Sequence, residues 1–236
     1  MGGYLSTMTT PQVTARSPLA LLAAVVSVAG GALLILLLQV LPATSDISPV
    51  RRTISEYALS ENKWIFDVAV LLVAFGSAIG FGALIRRKHL PALSAASVFC
   101  ALWTVSLVVI VAFPKNNWAI GPSTGGTVHR IASVVAFVCL PLAVWFAAKA
   151  VFPSSPARRA VTRVLAVAAL AWFGVILGAI VVSMNGGEPW WRAIPLGLVE
   201  RAMALTGLIA LASLLIPARV VTAPVTEQAE ALEIAS

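Results

Sequence analysis

The sequence predicts an all-α, polytopic integral membrane protein: a helical bundle with six transmembrane helices and with its N- and C-termini cytoplasmic. Three observations carry this reading. Of the 236 residues, 60% are hydrophobic and only 11% charged, with a mean hydropathy of +0.97; soluble domains are roughly a quarter charged. The apolar residues fall into six runs, each near the ~20 residues that a helix needs to cross a bilayer. Basic residues gather between alternate runs, which is how membrane orientation is encoded.

The runs divide the chain into an N-terminal cytoplasmic tail over residues 1–17, a transmembrane domain over 18–216 and a polar cytoplasmic tail over 217–236. The first run, Leu19–Val40, is too long and too weakly flanked for a cleaved signal peptide and reads as a retained helix. The others are Trp64–Ile85, Ala92–Phe113, His129–Val151, Val164–Met184 and Pro195–Ile216. Each must be helical in hydrocarbon, because a lipid-exposed backbone has no other way to pair its amides. Pro42, Pro91, Pro114, Pro153 and Pro217 stand at run boundaries, whereas Pro141 lies inside the fourth run and predicts a kink there. The tail after Pro217 holds Glu227, Glu230 and Glu233 without core-forming residues, so it reads as disordered or as a loose surface helix.

Orientation follows from the loops. Arg86, Arg87 and Lys88 separate runs two and three, and Arg158, Arg159 and Arg163 separate four and five, with no acid in either loop. These loops face the cytoplasm; Arg16 and Arg219 put both termini on that side. The opposite loops mix charge signs, and Trp64, Trp118, Trp190 and Trp191 form an aromatic belt at their edge. Twelve arginines against four lysines, with abundant alanine, point to a GC-rich bacterial genome and so to a bacterial plasma membrane. The net charge of +7 is spent on these flanking clusters, which excludes nucleic acid as the expected partner. Cys100 and Cys139 sit mid-run, at bilayer depth, and read as packing residues rather than a disulfide.

Lipid tails give helices little hydrophobic reason to associate, so close packing needs small residues. Gly76 and Gly80 in the second run, Gly174 and Gly178 in the fifth, and Ala23, Ser27 and Gly31 in the first have that spacing. Packing within the chain is the expectation, and the paired glycines faintly suggest two inverted three-helix halves.

The residues that need explaining lie near the outer ends of runs two, four and six. Thr53 and Glu56 have the spacing of a capping box, and Ile54, Tyr57, Ala58, Trp64 and Ile65 would form the apolar side of an interfacial helix. Lys63 and Asp67 stand four apart and can pair. His129 opens the fourth run after the glycine-rich stretch Gly121–Gly126; a neutral imidazole there serves as base, metal ligand or hydrogen-bonding partner. Only fifteen apolar residues follow Arg201 before Pro217, too few for a span, so Glu200 and Arg201 lie at or below the headgroups. Charges at that depth are costly and mark partners or functions. Arg201 is expected to snorkel outward while Glu200 faces the bundle, since neighbouring helical residues point about 100° apart.

Three short patterns carry a likeness to a known family: Ile54-Ser55-Glu56-Tyr57-Ala58 before the second run, Val128-His129-Arg130-Ile131-Ala132 opening the fourth, and Gly197-Leu198-Val199-Glu200-Arg201 opening the sixth. Over about residues 18 to 216 the chain resembles the bacterial and archaeal membrane family called domain of unknown function 998. The resemblance implies a six-helix membrane protein with no established activity, and it makes Ser55, Glu56, His129, Glu200 and Arg201 motif positions.

The expected site is therefore an outer-face polar cluster of Arg52, Ser55, Glu56, His129, Glu200 and Arg201. The first functional reading is a protein that binds a lipid or small molecule there, with membrane lipids as its surroundings and no cofactor or metal. Neither a Gly-x-Ser-x-Gly elbow nor a His-x-x-x-His pair occurs, which argues against an intramembrane hydrolase. A proton-coupled transporter is disfavoured because the ionisable groups lie near one face and not at the midplane. The remaining alternative is structural, with the cluster tying helix ends together. Ligand identity and oligomeric state stay open.

Overall fold

The computed structural model describes residues 19–117 and 119–216, so both terminal tails, with Arg16 and Arg219, and Trp118 of the belt lie outside the described residues. The chain runs through α1 (Leu19–Leu38), α2 (Lys63–Arg86), α3 (Ala95–Ala112), α4 (Thr124–Val151), α5 (Pro156–Met184), the four-residue α6 (Trp190–Ala193) and α7 (Leu196–Leu215). Two short 3₁₀ turns, Pro42–Thr44 and Ile54–Leu59, interrupt the loop between α1 and α2. All the described secondary structure is helical, and six of these helices are long and apolar enough to cross a membrane. The protein is thus a multi-pass membrane protein. At 1.5 Å per residue, the 20 residues of α1 reach about 30 Å, the thickness of a hydrocarbon core.

Helix ends differ from the sequence expectation where polar or small residues mask them. α4 starts five residues before His129, because the Ser123 hydroxyl accepts the Gly126 amide at 3.0 Å as an N-cap. The glycine-rich stretch is tight here: a Cβ on Gly126 would run into Asn116, whose Oδ1 accepts the Ser123 amide and hydroxyl. α5 starts at Pro156, so Arg158, Arg159 and Arg163 ride on the helix instead of a loop. Pro141 is accommodated inside a continuous α4.

α1 packs along α2, α3 along α4, and α5 along α7 and α4. Small residues set the first of these contacts. A Cβ on Gly31 would lie 2.5 Å from the Ala69 carbonyl, one on Gly76 would lie 2.8 Å from the Ala24 carbonyl, and Ser27 donates to the Leu72 carbonyl at 2.8 Å. Gly80 receives Leu215 of α7. Gly174 and Gly178 behave otherwise: a Cβ on either would meet no neighbouring group within 4 Å. Packing within the chain accounts for the glycines of α1 and α2 but not for those of α5, and the glycine parallel between two halves fails with it.

Polar pairs stitch the interior. Trp103 Nε1 donates to Ser77 Oγ at 3.0 Å, joining α3 to α2, and the Thr162 and Ser213 hydroxyls meet at 3.0 Å between α5 and α7. Cys100 and Cys139 are buried free thiols.

Candidate functional site

The ends of α1, α3 and α5 and the starts of α2, α4 and α7 share one end of the bundle, and the 3₁₀ segment Ile54–Leu59 lies there. α7 holds that segment through main-chain groups. Glu200 Oε2 accepts the Ile54 amide at 3.0 Å. Arg201 Nη1 donates to the carbonyls of Arg52 at 2.8 Å and Gly197 at 3.1 Å, and its Nη2 donates to the Tyr57 hydroxyl at 3.2 Å. Arg201 lies over the Tyr57 ring, 5.8 Å from its centroid, and so is committed inward rather than snorkelling to water. The fit needs glycine at 197, since a Cβ there would strike the Arg52 carbonyl. Leu198 donates its amide to the Val50 carbonyl at 3.2 Å.

Glu56 does not form the expected capping box. The 3₁₀ turn has no side-chain cap; Thr53 Oγ1 instead meets Ser55 Oγ at 3.2 Å and accepts from Lys115 Nζ at 3.1 Å. Lys115 also donates to Glu56 Oε2, and both side chains of that pair are mostly buried. Arg52 is the looser partner of Glu56, at 3.9 Å and largely in solvent. The segment is a 3₁₀ turn with Tyr57 and Ala58 buried on its apolar side, as is Ile65, whereas Trp64 is exposed. Lys63 pairs with Asp67 as the spacing predicts.

His129 is 3% exposed. Its Nδ1 stands 2.7 Å from the carbonyl of Phe113, one of the carbonyls that the end of α3 leaves without a helical partner. A carbonyl only accepts, so Nδ1 carries a proton. Among the described residues Nε2 is buried with no hydrogen-bond partner, as is Arg201 Nε.

Beneath this polar end lies a cavity of about 320 Å³, at the lower edge of ligand-pocket sizes, roughly 300–1,000 Å³. Its walls are apolar, with Ile35, Phe66, Val73, Leu107, Phe137 and Leu208 from five helices. Its polar end consists of Gln39, Ser55, His129, Glu200 and Arg201. From Glu200 to Leu208 the cavity descends about 12 Å along α7. Leu36 of α1 and Leu205 of α7 both line it and are both more than half exposed, so it opens sideways between those two helices. Pro141 also lines it, and by lacking an N–H leaves the Phe137 carbonyl without its helical donor. A shallower depression of about 490 Å³ lies at the other end of the bundle, lined by Trp145, Arg159 and Arg163.

Of the six expected site residues, Ser55, His129, Glu200 and Arg201 line the cavity, whereas Glu56 and Arg52 lie outside its lining, on the Lys115 side of the same segment. Among the described residues no three His, Cys, Asp or Glu side chains come together as a metal site. Sequence reasoning missed Lys115, Tyr57, Gln39 and the Phe113 carbonyl. Lys115 carried a signal, being the lone charge of its loop. The family model described as a protein of unknown function, DUF998, matches residues 21–217. The chain belongs to that family. The DUF998 match covers five of the six long helices in full, all but the first two residues of α1, and every residue of the polar end. No curated protein and no solved structure matches the chain.

Proposed function

We propose that this DUF998 protein binds an amphiphilic lipid or small molecule in the outer leaflet, apolar part in the cavity and headgroup at His129. The observation that carries this is an apolar cavity, open sideways between α1 and α7, with a buried and unpartnered imidazole nitrogen at one end. Binding sites in this size range are typically apolar with a few converging polar groups, and a sideways mouth admits a ligand from lipid. The reading includes a bacterial plasma membrane with both termini cytoplasmic, supported by the arginines at the start of α5 and the end of α2. It also includes short cytoplasmic tails flanking a single transmembrane domain.

The test is retention of ligand. Protein purified in nanodiscs from its native membrane should carry a bound amphiphile, seen by native mass spectrometry. Ala204→Phe and Ala32→Phe, which fill the cavity from its two lips, should lose that species while melting normally. Filled variants that keep it would refute the cavity as the site.

A second reading, a purely structural cluster, is favoured by one observation. Glu200 and Arg201 spend their hydrogen bonds on the backbone of residues 52–54 and on the Tyr57 hydroxyl. The two readings divide by residue: Glu200 and Arg201 hold the segment that roofs the cavity, and His129 is left to meet a ligand.

A further inference from the structure

We infer that the headgroup taken at this site is a neutral hydroxyl, neither a carboxylate nor an ammonium; the inference rests on the proposed binding function. It starts from the accounting at His129. Nδ1–H is committed to the Phe113 carbonyl. An ordinary imidazole is mostly neutral at pH 7, so Nε2 presents a lone pair, and its partner must donate a proton. That atom is buried in a residue 3% exposed and makes no hydrogen bond to the described residues; the Ile110 carbonyl is the other main-chain group that interacts with the ring. A buried polar atom without a partner is costly, and a ligand donor removes that cost.

The other groups at this end narrow the class further. Glu200 has one oxygen committed to Ile54, and a carboxylate headgroup, which only accepts, has no proton to offer the imidazole lone pair. Arg201 Nε is a buried donor without an acceptor, so an ammonium, which cannot accept, would leave it orphaned and add a second cation beside Arg201. A hydroxyl donates one hydrogen bond and accepts two. It alone among these three headgroups answers both an imidazole lone pair and a guanidinium N–H without adding charge. The apolar walls and the descent of about 12 Å below Glu200 then fit a hydrocarbon tail of matching depth. The ligand class is an uncharged aliphatic alcohol, whether a free fatty alcohol or the hydroxyl of a neutral lipid.

The test uses the full chain in nanodiscs and four probes of one tail length: decanol, methyl decyl ether, decanoate and decylammonium. Binding is read by native mass spectrometry and corrected for partition into empty nanodiscs. Decanol should bind about tenfold or more tightly than each of the other three, the factor expected when a buried polar group is left unpaired. His129→Phe should bring decanol down to the ether and leave ether binding unchanged; the wild-type comparison stands alone should that variant not fold. Equal binding of decanol and ether, or tightest binding of decanoate or decylammonium, overturns the hydroxyl inference while leaving the cavity reading intact. Failure of all four probes to bind saturably, or equal binding by Ala204→Phe, overturns both. A diacylglycerol arm against its methyl ether separates lipid hydroxyls from free alcohols: discrimination there identifies a neutral lipid as the source, and its absence limits the class to free alcohols.

Discussion

Replacing Glu200 isolates the hydrogen bond it makes to the Ile54 amide. Glu200→Ala removes the acceptor of the Ile54 amide, a half-buried donor that has no other partner. Leaving such a donor unpaired costs about 1–3 kcal/mol. Interhelical hydrogen bonds in membranes average nearer 0.6 kcal/mol, because the unfolded reference also finds partners. A loss of about 1.5 kcal/mol is the central expectation. In a chain of this length that corresponds to a melting temperature lower by about 3–6 °C. Glu200→Gln keeps an oxygen in place to accept from Ile54, so less than half of that loss is expected. The assay is a thermal melt in one detergent, with proteolysis within 50–59 as a local readout, since only the roof segment should loosen. Equal losses for Gln and Ala would mean that something other than the bond to Ile54 is what the position supplies. No loss for Ala would refute the claim that Glu200 holds the segment.

Three further outcomes are expected. Gly31→Ala should destabilise by about 1–3 kcal/mol, because the added methyl meets the Ala69 carbonyl at 2.5 Å, whereas Gly174→Ala, with nothing within 4 Å, should be neutral or stabilising by up to about 1 kcal/mol; melts of the two side by side check this. Lys115→Met and Glu56→Gln should each destabilise, and a double-mutant cycle should return a coupling of about 1 kcal/mol, since both side chains are mostly buried; zero coupling would mean the pair contributes nothing. With Cys100 and Cys139 replaced by alanine, a cysteine at Ser60 should label with an impermeant maleimide on intact cells, and one at Leu93, 92% exposed, only after permeabilisation; the reverse pattern would invert the proposed orientation.

The spans were legible because the bilayer makes length and apolarity nearly sufficient to specify them. Their ends were not, and each miss has a cause. Thr124 to Val128 read as loop because two glycines precede His129, yet a serine cap and the close approach of Asn116 turn that glycine pair into a helix start. Arg158 to Arg163 read as loop because charge was equated with water, but at an interface arginine stems lie along the helix and stack, Arg163 sitting 4.7 Å from the Trp145 ring centroid. At the polar end, the cost of placing Glu200 and Arg201 in a short span was visible in the chain. Who meets that cost was not, because the answering groups are main-chain amides and carbonyls of residues 52–54, which look alike in any sequence. The Thr53 and Glu56 spacing misled for the opposite reason: a local pattern predicts a local bond, and Lys115, 59 positions from Glu56, outcompeted it.

The arrangement of partners gives the polar end an internal logic that residue type alone does not. Two ionisable side chains of α7 bond to backbone of the 50–57 segment, and a backbone group cannot be substituted away, so that link survives changes in the segment's own side chains. The segment in turn supplies Ile54 and Ser55 to the cavity. The roof is thereby tied to the same helix whose Leu205 forms one lip of the mouth, while the other lip, Leu36, belongs to α1, which barely touches α7. Widening the mouth by moving α1 away therefore need not break any bond between α7 and the roof. His129 is fixed independently, by the carbonyl of Phe113 at the C-cap of α3. A ligand entering sideways would meet a headgroup site whose donors and acceptors keep their positions while the lips part. Preorganised groups of this kind favour binding by avoiding the entropy of ordering them. The physical distinction between this reading and a merely structural knot is that a knot has no reason to leave Nε2 of His129 unpaired.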